Sequence, residues 1–185
     1  MKEKGSNLTL PLLALRGVVV FPNGIINIEV ARPKSIAAIL HAEEIKTNKK
    51  QAMKIFLVTQ KNIADFTPKQ EDLFEIGTVC TIKHFIKISD GVFKLTAVGD
   101  FKAKIVKFCS NDDNKNFYKA EVVRVPERTS IKTSEKLQVL IRSIKKQFMQ
   151  YCSTVKSVNK ELNFLIEGEQ NPLKLFTILA EITPL

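Results

Sequence analysis

The hydrophobic pattern of the chain changes period once, around Pro126. Upstream, apolar residues come in short runs that alternate with polar ones or are continuous, as in strands; downstream they recur every three or four residues, as in helices. The first runs, Leu8–Leu15 and Val18–Phe21, read as extended chain leading into the turn Pro22-Asn23-Gly24. Beyond it Ile26, Ile28 and Val30 alternate with Asn27 and Glu29, a strand signature. Ala31–Lys50 predicts a helix with Pro33 at its first position and a stripe of Ile36, Ile39 and Leu40 continued by Ala37 and Ala42. Lys54–Gln60 is a short strand whose centre, Ile55 to Val58, is continuously apolar, which predicts cover on both faces. Asn62–Asp72 is polar and holds Pro68, hence a loop. Leu73–Ile88 predicts a long strand with Cys80, Ile82, His84, Ile86 and Ile88 on one face, turning at Ser89-Asp90-Gly91 into a returning strand, Val92–Val98. Phe101–Phe108 and Phe117–Val125 complete the strand set.

From Thr133 to Val155 the residues Leu137, Leu140, Ile141, Ile144, Phe148, Tyr151, Cys152 and Val155 fall at helical spacing, and Thr133 or Ser134 can cap the start. Val158–Gly168 and Pro172–Glu181 predict two shorter helices. The expectation is an α+β chain: a strand-rich domain over residues 1–125 with one inserted helix, then a helical appendage over 126–185 whose apolar stripe packs on the β domain or receives a partner.

Composition narrows the function classes. No apolar run reaches the roughly 20 residues that span a bilayer. Three widely spaced cysteines, Cys80, Cys109 and Cys152, suit free thiols in a reducing, cytoplasmic setting better than a disulfide framework. The net charge of +10 raises nucleic acid as a partner, but the longest basic clusters are the pairs Lys49-Lys50 and Lys145-Lys146, and there is no Trp to build a stacking platform. The expected nucleic-acid binding is weak and non-specific.

Catalytic signals are missing. No glycine is followed by Lys, so there is no phosphate-binding loop. Cys80 and His84 share a strand parity but lie about 13 Å apart along it, too far for a nucleophile–base pair, and both are expected to be core or half-buried residues. The cysteines, His41 and His84 show no metal-ligand spacing. Arg32 and Lys34 are different. They stand at the start of a helix, where cations oppose the macrodipole; protein surfaces often tolerate this, and the functional reading beside that one is contact with an acidic partner or a substrate segment.

The segment Leu10–Ile25, LPLLALRGVVVFPNGI, resembles the opening of the N-terminal domain of the Lon family of ATP-dependent proteases, with Gly17 where an acidic residue usually stands. Asp72–Val79 (DLFEIGTV) is similar to that family's Asp-Leu-Tyr-Glu-Val-Gly-Thr-Val. Gly99-Asp100-Phe101-Lys102-Ala103 is similar to its Gly-x-x-Arg-Ala strand with Lys for Arg, and Arg32–Ile36 stands where its helix begins. The resemblance implies a PUA-like β pseudobarrel and a non-catalytic role: recognition of unfolded or damaged proteins, and help in assembling a hexameric protease ring in protein quality control. ATP and Mg would then belong only to a downstream module. Recognition of unfolded chains requires exposed apolar surface, for which Phe66, Phe93, Phe117 and the Pro22–Ile26 turn are candidates. The expected substrate contacts are Pro22, Ile25 and Ile26 with Arg32 and Lys34 beside them.

Overall fold

The computed structural model of the chain describes residues 7–109, 116–126, 134–154 and 160–182. The chain divides into two units, Met1–Glu127 and Arg128–Leu185. The first contains β1 (Leu8–Leu15), β2 (Ile25–Val30), α1 (Pro33–Lys49), β3 (Lys54–Thr59), β4 (Ile76–Ser89), β5 (Val92–Cys109) and β6 (Tyr118–Arg124), with a short 3-10 turn at Gln70–Asp72. The second contains α2 (Glu135–Thr154), α3 (Lys160–Gly168) and α4 (Pro172–Ile182). A sheet with several helices is what the pattern of periods predicts.

The strands form one sheet in the order β2-β5-β4-β3-β1-β6, and β6 also pairs with β5. The sheet therefore closes on itself through β5, β4, β3, β1 and β6. All these pairings are antiparallel except β1 with β3, where Leu12 to Leu15 run beside Phe56 to Thr59. β3 lies inside the sheet and is buried on both faces, as its continuous apolar run requires. Ile55 and Leu57 enter one core with Leu13, Leu15, Ile39 and Leu95, whereas Phe56 and Val58 enter a second with Leu12, Val79, Ala103 and Val122.

Two expected strands are a single one. Val92–Val98 and Phe101–Phe108 merge into the 18-residue β5. Their odd-numbered apolar residues keep one sequence parity but serve different cores: Leu95 and Ala97 the first, Ala103 with half-buried Phe101 and Ile105 the second. The switch is a bulge. Cys80 pairs with Gly99 and Val79 with Phe101, leaving Asp100 without an opposite residue. Its carboxylate accepts from the Thr81 hydroxyl at 3.1 and 2.8 Å and pairs with Lys54 at 3.5 Å.

A second bulge corrects the predicted face of β4. Ile82 pairs with Ala97 and His84 with Thr96, so Lys83 is the extra residue. The inward set passes from Cys80 and Ile82 to Phe85, which packs on the first core, and His84, Ile86 and Ile88 are exposed rather than buried. Of the two apolar runs at the N-terminus, only Leu8–Leu15 is a strand. β1 ends at Leu15, and Gly17 adopts φ +64°, turning the chain away before Val18 and Val19, both exposed. On α1 the buried apolar residues are Ala38, Ile39 and Ala42, while Leu40 faces outward.

In the second unit Phe148, Ile166 and Leu175 form a core with half-buried Ile141, Cys152, Ile178 and Leu179. Part of the α2 stripe thus packs on α3 and α4, and Leu140, Ile144 and Tyr151 remain exposed. The helix ends are secured locally. The Leu137 N–H donates to the Ser134 hydroxyl at 3.2 Å, and Asn171 caps α4 ahead of Pro172 by accepting from the Leu173 N–H at 2.9 Å. Lys145 donates to the Glu167 and Glu169 carbonyls at 2.8 and 2.7 Å, where a cation complements the C-terminal end of α3. Thr133, Val155 and Val158, named in the sequence expectations, lie outside the described residues.

Gly99 ties β5 to the turn ahead of β2. Its N–H donates to the Gly24 carbonyl at 2.9 Å and its carbonyl accepts from the Asn23 N–H at 2.8 Å, docking the turn that precedes β2. A Cβ there would collide with the Phe21 carbonyl oxygen. Gly99→Ala is expected to destabilise the chain by about 1–3 kcal/mol through backbone displacement, read as a lower denaturant midpoint with an unchanged slope.

Candidate functional site

The site begins at Gln60, the one strongly polar residue closing the apolar run of β3. Its side chain is 2% exposed, and its amide is fully employed. Nε2 donates to the Asn62 carbonyl at 2.6 Å and the Asp65 carbonyl at 2.8 Å, and Oε1 accepts from the Arg32 guanidinium at 3.1 Å. Arg32 reaches the Asp65 carbonyl as well, at 3.4 Å. A buried amide satisfied in this way fixes two elements at once: the loop after β3 and the residue that opens α1. Within the loop, the Asn62 side chain accepts from the Ala64 N–H at 3.0 Å, an Asx-type turn that holds Asp65 and Phe66 in place.

The far side is set by Tyr118 at the start of β6. Its hydroxyl donates to the carbonyl of buried Pro68 at 2.8 Å and accepts from Lys34 at 3.3 Å, and the Lys34 ammonium lies 4.8 Å from the ring centroid. Between these anchors opens a cleft of about 290 Å³. Leu12 and Ala14 of β1 line it together with Arg32, Pro33, Lys34 and Ser35 of the α1 start, Phe66, Thr67 and Pro68 of the loop, and Asn116 and Tyr118. The surface is predominantly apolar, and the volume suits one or two side chains rather than a large ligand. Phe66, 71% exposed, stands on the rim with the Arg16 guanidinium 4.8 Å from its ring centroid.

The local charge is positive. Arg32 is held below its ordinary arginine value, first by burial and then by the like charge of Arg16. No carboxylate among the described residues lies within ion-pair distance of Arg16, Arg32 or Lys34. The N-terminus of α1 adds to the same sign, with Arg32 at the N-cap, no side-chain cap and no acidic residue in the first turn.

The structure brings together Arg32 and Lys34 but not the other sequence candidates. Ile25 is 70% exposed and Pro22 half-buried, and neither lines the cleft. Ile26 is corrected outright. It is 8% exposed and packs in the first core, because β2 pairs with β5 in a register that sets Ile26 opposite Ala97. Of the candidate aromatics, Phe66 is at the cleft, Phe93 stacks on Phe85 at 4.7 Å, and Phe117 is buried. Sequence reasoning missed Gln60, Pro68 and Tyr118, whose roles arise from contacts between distant segments. The polar end of an apolar strand was the only signal for Gln60. Burial pushes the Cys80 thiol up to about 12, with Asp100 contributing second, which makes it inert as a nucleophile.

Gln60→Leu, of similar volume, would remove the Gln60 contact of the Asn62 carbonyl and one of the two side-chain contacts of both the Asp65 carbonyl and the Arg32 guanidinium. We expect a loss of about 1–3 kcal/mol and faster amide hydrogen exchange confined to residues 61–68 and the start of α1, with the second unit unaffected.

Comparison with known proteins agrees with this architecture. Residues 9–185 match the family described as the ATP-dependent protease La (LON) substrate-binding domain. The chain is 35% identical to a Lon protease of Azospirillum brasilense over 97% of its own length and 22% of the relative's. It is 37% identical to a Lon protease of Syntrophomonas wolfei over 92% of its length and 20% of that relative's. The chain thus spans about one fifth of the curated relatives it matches. Its fold is similar to that of the N-terminal domain of a Mycobacterium avium complex Lon protease, with a TM-score of 0.70, 16% identity, and 96% and 84% of the two chains covered. The chain therefore belongs to the family of Lon (protease La) substrate-binding domains.

Proposed function

We propose that this chain is a non-catalytic substrate-recognition domain that captures unfolded or damaged proteins for an ATP-dependent Lon-type protease acting in cytoplasmic quality control. The observation that carries the reading is the apolar cleft with the exposed Phe66 on its rim, in a member of a family described by substrate binding. Native proteins bury their large apolar side chains and unfolded ones present them, so a preformed cleft for one or two such side chains discriminates between the two states. Arg32 and Lys34 belong to this client surface, while Pro22, Ile25 and Ile26 do not. The closed sheet with its inserted helix supports a PUA-like pseudobarrel. ATP and Mg, ring assembly and a hexameric state are assigned to the intact protease, with this domain assisting.

The test is a titration of a denatured, carboxymethylated test protein. Phe66→Ser should weaken binding about tenfold, the scale of one aromatic side chain withdrawn from burial, and shift stability by no more than about 0.5 kcal/mol. Ile25→Ser, an equally exposed apolar change outside the cleft, should leave affinity unchanged. Equal affinities for all three proteins would reject the cleft. The isolated chain is expected to hydrolyse neither ATP nor peptides, measured by phosphate release and by cleavage of a fluorogenic protein.

A further inference from the structure

The charge around the cleft is more than apolar capture requires. A groove that only bound apolar side chains would gain nothing from unpaired cations on its walls, yet Arg32 and Lys34 line it and Arg16 stacks on its rim residue Phe66. None of the three has a carboxylate within ion-pair distance among the described residues, although elsewhere in the same unit Lys54, Lys104 and Lys107 all do. Arg32 is oriented by Gln60 and Lys34 by Tyr118, so these cations are not free to swing away into solvent. Ser35 lines the same cleft at 8% exposure, and its hydroxyl makes no hydrogen bond among the described residues. The wall therefore offers positive charge and an unused hydroxyl beside an apolar floor of Leu12 and Ala14.

We propose that the cleft selects unfolded segments in which a large apolar side chain is flanked by an internal Asp or Glu, the apolar group entering between Phe66 and Tyr118 and the carboxylate meeting Lys34, Arg32 and the Ser35 hydroxyl. The proposal rests on reading the cleft as the client site and adds the chemistry of the client. Apolar contact supplies most of the affinity, and the carboxylate fixes which apolar side chains are accepted and in which direction the segment lies. Segments with a lysine or arginine beside the apolar residue are rejected, because the cations already present would face a like charge.

The experiment uses the chain itself and short fluorescent peptides, amidated at the C-terminus, with one Phe in a Gly/Ser background. The neighbouring position carries Glu, Gln or Lys. The Glu peptide should bind about fivefold or more tightly than the Gln peptide, as expected for a few part-exposed charge pairs, and the Lys peptide more weakly than either. The preference should shrink as salt is raised and fall by at least half in the Arg16→Gln/Lys34→Gln variant, which removes two of the three cations and leaves Arg32 on its Gln60 contact; an undiminished preference in that variant would overturn the assignment to this wall. Because the first comparison changes only the peptide, it needs no variant to fold. Equal binding of Glu and Gln peptides, with Phe66→Ser still weakening both, would overturn the acidic preference and leave the cleft reading intact. Peptide binding indifferent to Phe66→Ser would overturn both. Restoring a free C-terminal carboxylate to the Gln peptide and recovering the full preference would assign the charge to chain ends instead. Displacement of the Glu peptide by a single-stranded oligonucleotide at equal charge would overturn the proposal in favour of a nucleic-acid site.

Discussion

One unpaired residue on one strand lets the first unit exist in its observed form. β5 is long enough to be an edge partner for β2 at its start and for β6 at its end, but a regular strand would keep the same side chains on the same face throughout. Asp100 breaks that rule. The bulge turns the odd-numbered residues from the first core to the second, so β2 joins one part of the sheet and β6 closes the other. The cost of an acidic side chain at such a place is offset by Thr81 of the neighbouring β4 and by Lys54, which stands opposite Thr81 one strand further on, in β3. With the closure in place, β6 brings Tyr118 across to Lys34 and Pro68, and the cleft acquires its far wall.

What the sequence revealed and concealed follows from the range of the interactions concerned. β1 and β3, the Pro33 start of α1 and the three helices of the second unit are local patterns, and they were legible because period, turn residues and caps act within a few positions. The bulges were not, because an extra residue leaves the sequence alternation of β5 undisturbed and appears only in the register with its partner. For the same reason His84 was expected inside and lies outside, with Phe85 taking the inward place. Ile26 has the inward parity of its strand, so its burial was implicit in the alternation with Asn27, and placing it on a client surface gave the turn too much weight. Arg32 and Lys34 were visible as cations on the wrong end of a helix. Tyr118 and Pro68, 50 residues apart, carried no such mark.

The cleft is built from contacts of modest size that depend on one another. Gln60 orders the loop, the loop presents Phe66 and Pro68, and Pro68 receives the Tyr118 hydroxyl. A site whose walls are already tied down does not have to order them when a flexible chain arrives, so less of the contact energy is spent on immobilising the receptor, while the client still loses its own freedom. On the proposed reading, such a surface would suit capture of moderate strength.

The two-faced burial of β3 has a consequence for how the protein tolerates change. Ile55 and Phe56 are joined by a peptide bond but belong to separate cores, so substitutions there relax into different neighbours and their costs should sum. Phe56 and Leu12 are remote in the chain yet sit opposite each other in the β1–β3 register and share a core, so a loss of volume at one can be answered by a gain at the other. Sequence drift in this unit is then governed by two interleaved sets of positions, each repairing its own volume, and covariation should link every second residue of β3 to distant strands rather than to its neighbour.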